Sequence, residues 1–521
     1  MVNRTTTILW IAMLACWANA VLLAQKGGPK RPNILVIFSD DHARQAISAY
    51  GNKLVATPGI DRLAKEGAIF NNTFVTNSIC APSRAVLLTG KYGHLSGLID
   101  NSPRRRFDGS QQQVQKLLAA GGYQTAWIGK WHLQTLPQGF QYWQILPDQG
   151  HYYNPNFINM RNDTLRHQGY VTDLITRFST DWLDKRDTTK PFFLIIGHKA
   201  THREWQPDLQ DLGAYDDTEF PIPPNFYDRY EGRKAAANQD MTIDKTMRLA
   251  LDLKVHIPYE TALLYGRFSP EQKAVFKSYY DRISATYESI KGDPMALVKW
   301  KYQRYLKDYY ATARSLDRNL SQTLDYLDKH NLAANTLVIY ASDQGFYLGE
   351  HGWFDKRFMY EESLSTPFLM RYPGVIKPGT VVDDIVVNID WAPTFIDAAG
   401  LQVPADIQGK SVLPLLKNSA VASPAWRNAM YYRYYEYPDP HRVAPHMGIR
   451  TQRYKLIWFE APENAWELYD LQQDKLEVNN LYGKKEYVNL VRDLQQQLVQ
   501  LAIGYKDEDG AARIKAAIGQ Q

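Results

Sequence analysis

Cysteine is nearly absent. The 521 residues hold two, Cys16 and Cys80, too few for a disulfide framework. Excess charge is scarce as well: 60 Lys and Arg against 55 Asp and Glu leave a formal +5. Over this length that surplus marks no nucleic-acid partner. Beyond the first residues no apolar run is long enough to cross a bilayer, so no obligate membrane partner is expected. Internal repeats and low-complexity tracts are missing too. Apolar residues at 45% and charged residues at 22% exclude a disordered chain. The length suits up to three domains, or one large α/β domain with an appendage. Aromatics are plentiful, with 34 Tyr, 19 Phe and 13 Trp, and core and groove lining absorb most such surpluses.

The N-terminus sets the expected compartment. Arg4 precedes an apolar run from Ile8 to Leu23 broken only by Asn19, a pattern that fits a signal peptide over residues 1–24. Ala18-Asn19-Ala20 suits a signal peptidase, and cleavage after Ala24 suits it equally. The alternatives are a retained anchor, or a lipid on Cys16, where Met13 fits the motif poorly. An exported, periplasmic protein is expected. Its mature chain keeps one thiol, Cys80, in a compartment where cysteines normally pair.

Strands and helices alternate along most of the chain. Residues 33–38 are continuously apolar and run into Ser39-Asp40-Asp41-His42, the pattern of a buried parallel strand with polar residues at its C-terminal end. Thr57-Pro58 opens a helix through Lys65, 68–75 reads as a strand, and a helix starts directly after Cys80 with Pro82 in its first turn. Helices are then expected over 114–120 and 171–185, and strands over 125–129 and 192–197. Residues 207–300 read as an insertion with its own helices, 301–331 as a long helix and 336–341 as a strand. From Trp426 the segments are short, aromatic and split by turns: 431–437, 447–451 and 454–459, then a helix near 486–503. Such an order predicts a large, mostly parallel sheet flanked by helices over 31–424, and a small antiparallel sheet with a helix over 425–521.

Ligands of open α/β sheets bind beyond the carboxyl ends of the strands. Four predicted strand ends carry polar residues: Asp40-Asp41, Lys130-Trp131-His132, His198 with His202, and Asp343-Gln344. One Asp-Asp pair is ordinarily a cap or a turn. Two acidic pairs at strand ends, with an amide oxygen, make an all-oxygen cluster suited to Ca²⁺ or Mg²⁺ rather than Zn²⁺.

Cys80-Ala81-Pro82-Ser83-Arg84 resembles the Cys-x-Pro-Ser-Arg signature of type I sulfatases, in which the cysteine is oxidised to formylglycine. Further segments extend the resemblance from Arg31 to about Leu481: Gly90-Lys91-Tyr92, Gly129-Lys130-Trp131-His132, Ser342-Asp343-Gln344-Gly345, Gly349-Glu350-His351-Gly352 with Lys356, and Glu467-Leu468-Tyr469-Asp470-Leu471. The resemblance implies an alkaline-phosphatase-like fold. It implies Ca²⁺, with Mg²⁺ as the alternative, on Asp40, Asp41, Asp343, Gln344 and the modified Cys80, although many sulfatases have Asn where Gln344 stands. Arg84 would hold the formylglycine hydroxyl, and Lys130 and Lys356 would clamp sulfate oxygens. His132 would face the hydrate, His202 the leaving oxygen, and His198 the substrate in a less defined role. A formylglycine-generating enzyme is then an implied partner, and a sulfated glycan the implied substrate.

The chemistry needs these residue types. A sulfate monoester is anionic, so its charge must be neutralised before a negative nucleophile reaches sulfur. One hydroxyl of a hydrated aldehyde accepts the sulfuryl group. The other, deprotonated by His132, collapses to the aldehyde and expels sulfate, which plain serine could not do. Protonated His202 would donate to the departing sugar oxygen.

Within the family the chain resembles N-acetylglucosamine-6-sulfatases, on Asn77-Ser78-Ile79-Cys80, on 354–362 and on the tail 431–458. His446 and Arg450 in that tail are the expected sugar contacts, though Pro445 before His446 and Arg433 after Tyr431-Tyr432 depart from the pattern. An exo-acting enzyme on the 6-O-sulfate of terminal N-acetylglucosamine in glycosaminoglycan or mucin is the expectation. The alternatives are another sugar position such as galactose-6-sulfate, a phosphodiesterase or phosphonate hydrolase of the same superfamily, or a glycan-binding protein in which Cys80 is never oxidised.

Overall fold

In the computed structural model residues 31–262, 264–417 and 426–520 are described. The expected signal peptide, Cys16 and the expected 424/425 boundary lie outside the described residues.

Strand β1 (Asn33–Ser39) is the axis of the molecule, buried along its whole length. The other strands are β2 (Ala68–Phe70), β3 (Thr73–Phe74), β4 (Gln124–Lys130), β5 (Tyr142–Leu146), β6 (Asn156–Ile158), β7 (Thr164–Arg166), β8 (Phe192–Gly197), β9 (Thr336–Ser342), β10 (Phe368–Arg371), β11 (Thr380–Val382) and β12 (Val386–Val387). Ten of them form one sheet in the order β11-β2-β10-β9-β1-β8-β4-β5-β6-β7. Its centre, β9-β1-β8-β4-β5, is parallel throughout, and antiparallel pairs flank it.

The apolar run of β1 follows from burial on both faces. Ile34, Val36 and Phe38 pack with helices Cys80–Thr89, Val114–Ala120 and Trp391–Ala398 on one side. Leu35 and Ile37 pack with Pro58–Glu66, Val171–Lys185 and Pro294–Lys329 on the other. Because the central strands are parallel, the polar ends of β1, β9, β8 and β4 all emerge at one edge of the sheet.

A second, antiparallel sheet holds β13 (Ala429–Tyr434), β14 (His446–Thr451), β15 (Tyr454–Phe459) and β16 (Ala465–Asp470). Helices Val488–Gly504 and Glu508–Gly519 contribute Leu494, Leu498 and Ile514 to its core. The same core contains Ile79 and Val86, on either side of Cys80, and Phe358, Met359 and Tyr360 after Lys356. The small sheet is therefore packed against the segments that carry Cys80 and Lys356.

Three local expectations change. Residues 68–75 are two strands: Asn71 and Asn72 turn the chain and donate to Asp383, and β3 pairs with β12 outside the large sheet. The long helix starts at Pro294 rather than 301, because the Asp293 side chain accepts from the Met295 and Ala296 amides and Pro294 needs no amide there. Strands β5 to β7, β16 and the last helix carry too short or too mixed a pattern to be read beforehand.

Gly129 closes the parallel pair β4–β8 beside the site. Its φ is +110°, and a Cβ there would lie 2.0 Å from the Gly197 carbonyl oxygen, its register partner. Neither the backbone nor the neighbouring strand leaves room for a side chain. Gly129→Ala is expected to cost at least about 2 kcal/mol of stability in chemical denaturation. A loss below about 0.5 kcal/mol, the level of an ordinary surface substitution, would contradict this close approach.

Candidate active site at the strand ends

The carboxyl ends of β1 and β9 place three carboxylates in a fully buried cluster: Asp40, Asp41 and Asp343. Asp41 leaves β1 with φ +60°, a conformation Asp tolerates better than most residues. Its amide donates to Asp343 Oδ1 at 3.0 Å. Arg84, fully buried and one turn along the helix from Cys80, grips Asp343 Oδ2 through Nε (3.2 Å) and Nη2 (3.0 Å). Its Nη1 donates to the Lys130 carbonyl at 2.9 Å. One guanidinium thus ties the ends of β9 and β4 to the helix of Cys80.

Lys130 Nζ is hydrogen-bonded to Asp40 Oδ2, and Lys356 Nζ to Asp41 Oδ2 at 2.7 Å. Cys80 is the first residue of its helix, 1% exposed. Its Sγ lies 3.4 Å from Asp40 Oδ1 and 3.5 Å from Gln344 Nε2. Gln344 Nε2 also donates to Asp41 Oδ1 at 2.5 Å, while its Oε1 is buried with no hydrogen-bond partner.

Burial dominates the electrostatics. It pushes the Asp41 carboxyl up to about 6 against the pull of Lys356, with Asp343 and Asp355 adding to the rise. It pushes the Cys80 thiol up to about 12, again against Lys356. His132 and His202 are held well below the usual histidine range, first by burial and then by surrounding cations, Lys130 foremost.

The donor set fits a divalent metal. Ligand atoms of Asp40, Asp41, Cys80 and His202 all lie within 4.8 Å of one another. The unpartnered Gln344 Oε1 beside them is a further free oxygen, and hard oxygen donors favour Ca²⁺ or Mg²⁺. Asp343, expected as a ligand, has both oxygens engaged by Arg84 and the Asp41 amide.

His202 and Lys356 also line a cavity of about 830 Å³. Gln149, Asp355 and Arg357 line it with them, and Asp100 to Arg104 and Tyr435 to His441 form its outer walls. Arg357 is ion-paired with Glu436, and His441 Nε2 lies 3.3 Å from Asp355 Oδ2. His132 stands just behind, its Nε2 3.0 Å from Gln149 Nε2 and its Nδ1 unpartnered.

Three expected substrate contacts are placed elsewhere. His446 is fully buried, accepts from the Met359 amide at 3.1 Å through Nε2, and stacks among Phe358, Tyr432 and Phe459. It braces the Lys356 segment and does not line the cavity. Arg450 is paired with Glu361 and lies over the Phe74 ring. His198 is fully buried and its ring nitrogens meet no partner; burial pushes it down to about 3. The cavity residues Gln149, Asp355, Arg357, Glu436 and His441 take the places next to the site. Asp355 and Arg357 flank Lys356 in the sequence, a signal that was available; Glu436 and His441 had none beyond lying near the expected histidine. Lys199, between His198 and His202, is a further buried cation beside the cluster.

Comparison with known proteins gives a consistent result. The sulfatase family model matches residues 32–401, and a model of the C-terminal part of N-sulphoglucosamine sulphohydrolase matches 349–503. An N-acetylglucosamine-6-O-sulfatase of Bacteroides thetaiotaomicron is 45% identical over 97% of this chain and 92% of its own. The human N-acetylglucosamine-6-sulfatase is 26% identical over 78% of this chain and 68% of its own. A structure solved in complex with its substrate D-glucosamine-2-N,6-O-disulfate superposes with TM-score 0.90 at 46% identity, covering 92% of this chain and 99% of that one.

The raised Cys80 pKa has a direct readout. A thiol at about 12 is protonated at pH 8, and only the thiolate alkylates. Unconverted folded protein is expected to leave Cys80 unlabelled by iodoacetamide at pH 8 while the urea-unfolded chain labels fully, as read by peptide mass. Equal labelling of both would contradict the buried site.

Proposed function

The chain belongs to the sulfatase family and hydrolyses sulfate monoesters, and we propose that its ester is the 6-O-sulfate of a terminal N-acetylglucosamine in glycosaminoglycan or mucin glycans. The observation that carries this reading is that Lys356 and His202 line a cavity walled by residues 435–441, while Cys80 and Lys130 meet at Asp40 in the cluster that His202 adjoins. A cavity closed in this way suits one terminal sugar with its sulfate turned inward. The relatives named for that ester support the choice of sugar.

Cys80 converted to formylglycine by a maturation enzyme, with Ca²⁺ as the cation, would supply a hydroxyl nucleophile and positive charge at the sulfate oxygens. Asp40, Asp41 and Gln344 Oε1 would hold the cation. The protein's own groups do the rest. Arg84 fixes the spacing of the strand ends, so nucleophile and cations do not reorganise during the reaction. Lys130 and Lys356 neutralise sulfate oxygens. His202 lines the cavity and hands a proton to the leaving sugar oxygen; burial and then the lysines lower its pKa, and an incoming anion offsets the lysines' share and so favours the protonated form. His132, with Nδ1 free, is placed to take a proton from residue 80. Asp355, Arg357 and His441 present charge and hydrogen bonds to the sugar hydroxyls. Export through the 1–24 segment belongs to the same reading and is checked by the N-terminal mass of the mature chain.

Formylglycine-loaded protein is expected to release sulfate from N-acetylglucosamine-6-sulfate, and Cys80→Ala to release none. The comparison set is galactose-6-sulfate, N-acetylglucosamine-3-sulfate and glucosamine-2-N-sulfate. Silence on all four, with residue 80 shown by peptide mass to be formylglycine, would sink the proposal. His202→Gln should slow sugar desulfation about 10²- to 10⁴-fold, the usual worth of a general acid. An aryl sulfate, whose leaving group needs no proton, should be slowed far less; equal losses on both would remove His202 from that role.

A further inference from the structure

Each carboxylate of the strand-end cluster has a cation within 3.0 Å, with Arg84 reaching Asp40 as well at 3.8 Å, and one nearby lysine stands outside these pairs. Arg84 holds Asp343, Lys130 holds Asp40 and Lys356 holds Asp41. Lys199 is 3% exposed and, among the described residues, has no carboxylate within the 4.0 Å that defines the other pairs. Its ammonium lies 4.8 Å from the centroid of the Tyr152 ring, and the Tyr152 hydroxyl donates to the His202 carbonyl at 2.6 Å. The His202 amide in turn donates to the Lys199 carbonyl at 2.9 Å. Lys199 and His202 are thus the two ends of one tight turn off β8, locked together through Tyr152.

An ammonium taken out of water is expensive unless paired. A cation over an aromatic face recovers only part of that cost. Burial pulls the Lys199 ammonium down, while the charges of Glu204 foremost, then Asp41, Asp148 and Cys80, pull it up, no carboxylate among them within 4.0 Å; Lys199 in turn lowers Lys130, His132 and His202. Its field therefore reaches Lys130, His132 and His202, three of the groups proposed to meet the sulfate or residue 80. A divalent cation in the cluster would add positive charge beside this lysine. An anion that enters and leaves is what this arrangement lacks.

We propose that Lys199 is the third ammonium of the sulfate site, holding the sulfate of the substrate and the inorganic sulfate released from it. The inference rests on the sulfatase activity, and its substrate arm rests on the proposed 6-O-sulfated sugar. Lys130 and Lys356 each answer to a carboxylate. Lys199 alone is free to answer to the sulfate, and its anchorage to His202 keeps the two at a fixed separation.

The test compares Lys199→Met, similar in length but neutral, and Lys199→Arg with the wild type, all loaded with formylglycine and Ca²⁺. In Lys199→Met, kcat/KM on N-acetylglucosamine-6-sulfate is expected to fall about 10- to 100-fold, the worth of a hydrogen bond to a charged group. The loss should lie mostly in KM, and competitive inhibition by inorganic sulfate should weaken by a similar factor. Lys199→Arg should recover part of both. The melting temperature without sulfate should not fall, since an unpaired buried charge has been removed, while the rise in melting temperature on adding sulfate should shrink. A variant that loses activity with unchanged sulfate inhibition, or that melts several degrees lower with an unchanged sulfate response, would overturn the proposal in favour of a structural lysine. So would unchanged kinetics. If the wild type turns over none of the sulfated sugars, the proposed substrate fails, and the shift with inorganic sulfate still decides Lys199. Should Lys199→Met not fold, Lys199→Gln is read in the same way.

Discussion

Three carboxylates at the ends of two neighbouring strands, shut away from water, are the constraint around which the molecule is built. Left alone, Asp40, Asp41 and Asp343 would repel one another and take up protons. Each is answered by a cation from a different part of the chain: the Cys80 helix supplies Arg84, β4 supplies Lys130 and the segment before Tyr360 supplies Lys356. Removing one partner of such a buried pair typically costs about 3–5 kcal/mol. The cluster therefore requires the parallel sheet, the Cys80 helix and the 353–364 segment to be assembled together. The groups proposed to do the chemistry are the same groups that fix the assembly.

The small C-terminal sheet gains a role from this. Sequence reasoning gave it the sugar contacts His446 and Arg450, but both side chains look inward. His446 accepts from the Met359 amide, and Tyr432 donates to the Arg357 carbonyl and receives from the Ser78 amide. One sheet thereby braces the loop of Lys356 and the turn before Cys80 at once. What reaches the cavity is the connection between β13 and β14, from Tyr435 to His441. The sheet positions, and its loop contacts.

The large sheet was legible because a strand buried on both faces has to be continuously apolar, and 33–38, 192–197 and 336–341 satisfy that. The candidate site residues stood out because they sit where those runs stop. Their pairing was not. Nothing in the spacing of Arg84 and Asp343, 259 residues apart, says that the guanidinium closes the carboxylate instead of facing residue 80. The placement of His446 was hidden for a similar reason: a histidine beside aromatics looks the same in a sequence whether it stacks in a core or faces a sugar. The short strands β5 to β7 escaped because three to five residues carry too little periodicity to separate them from loop.

The histidines show how far the folded environment departs from the composition. Twelve histidines in a chain of +5 say nothing of protonation, yet the two beside the cavity are pressed toward neutrality by burial and by lysines gathered for another purpose. Burial first, and then the positive charge of Lys130, Lys199 and Lys356, draws the His202 pKa down in the site as it stands. An anion bound beside these lysines would offset their pull on His202, so in the proposed reaction sulfate binding and proton transfer would be coupled through one field. Selectivity for the sulfated ester, on this view, begins with the balance of charge at the strand ends and only afterwards involves the contacts to the ring.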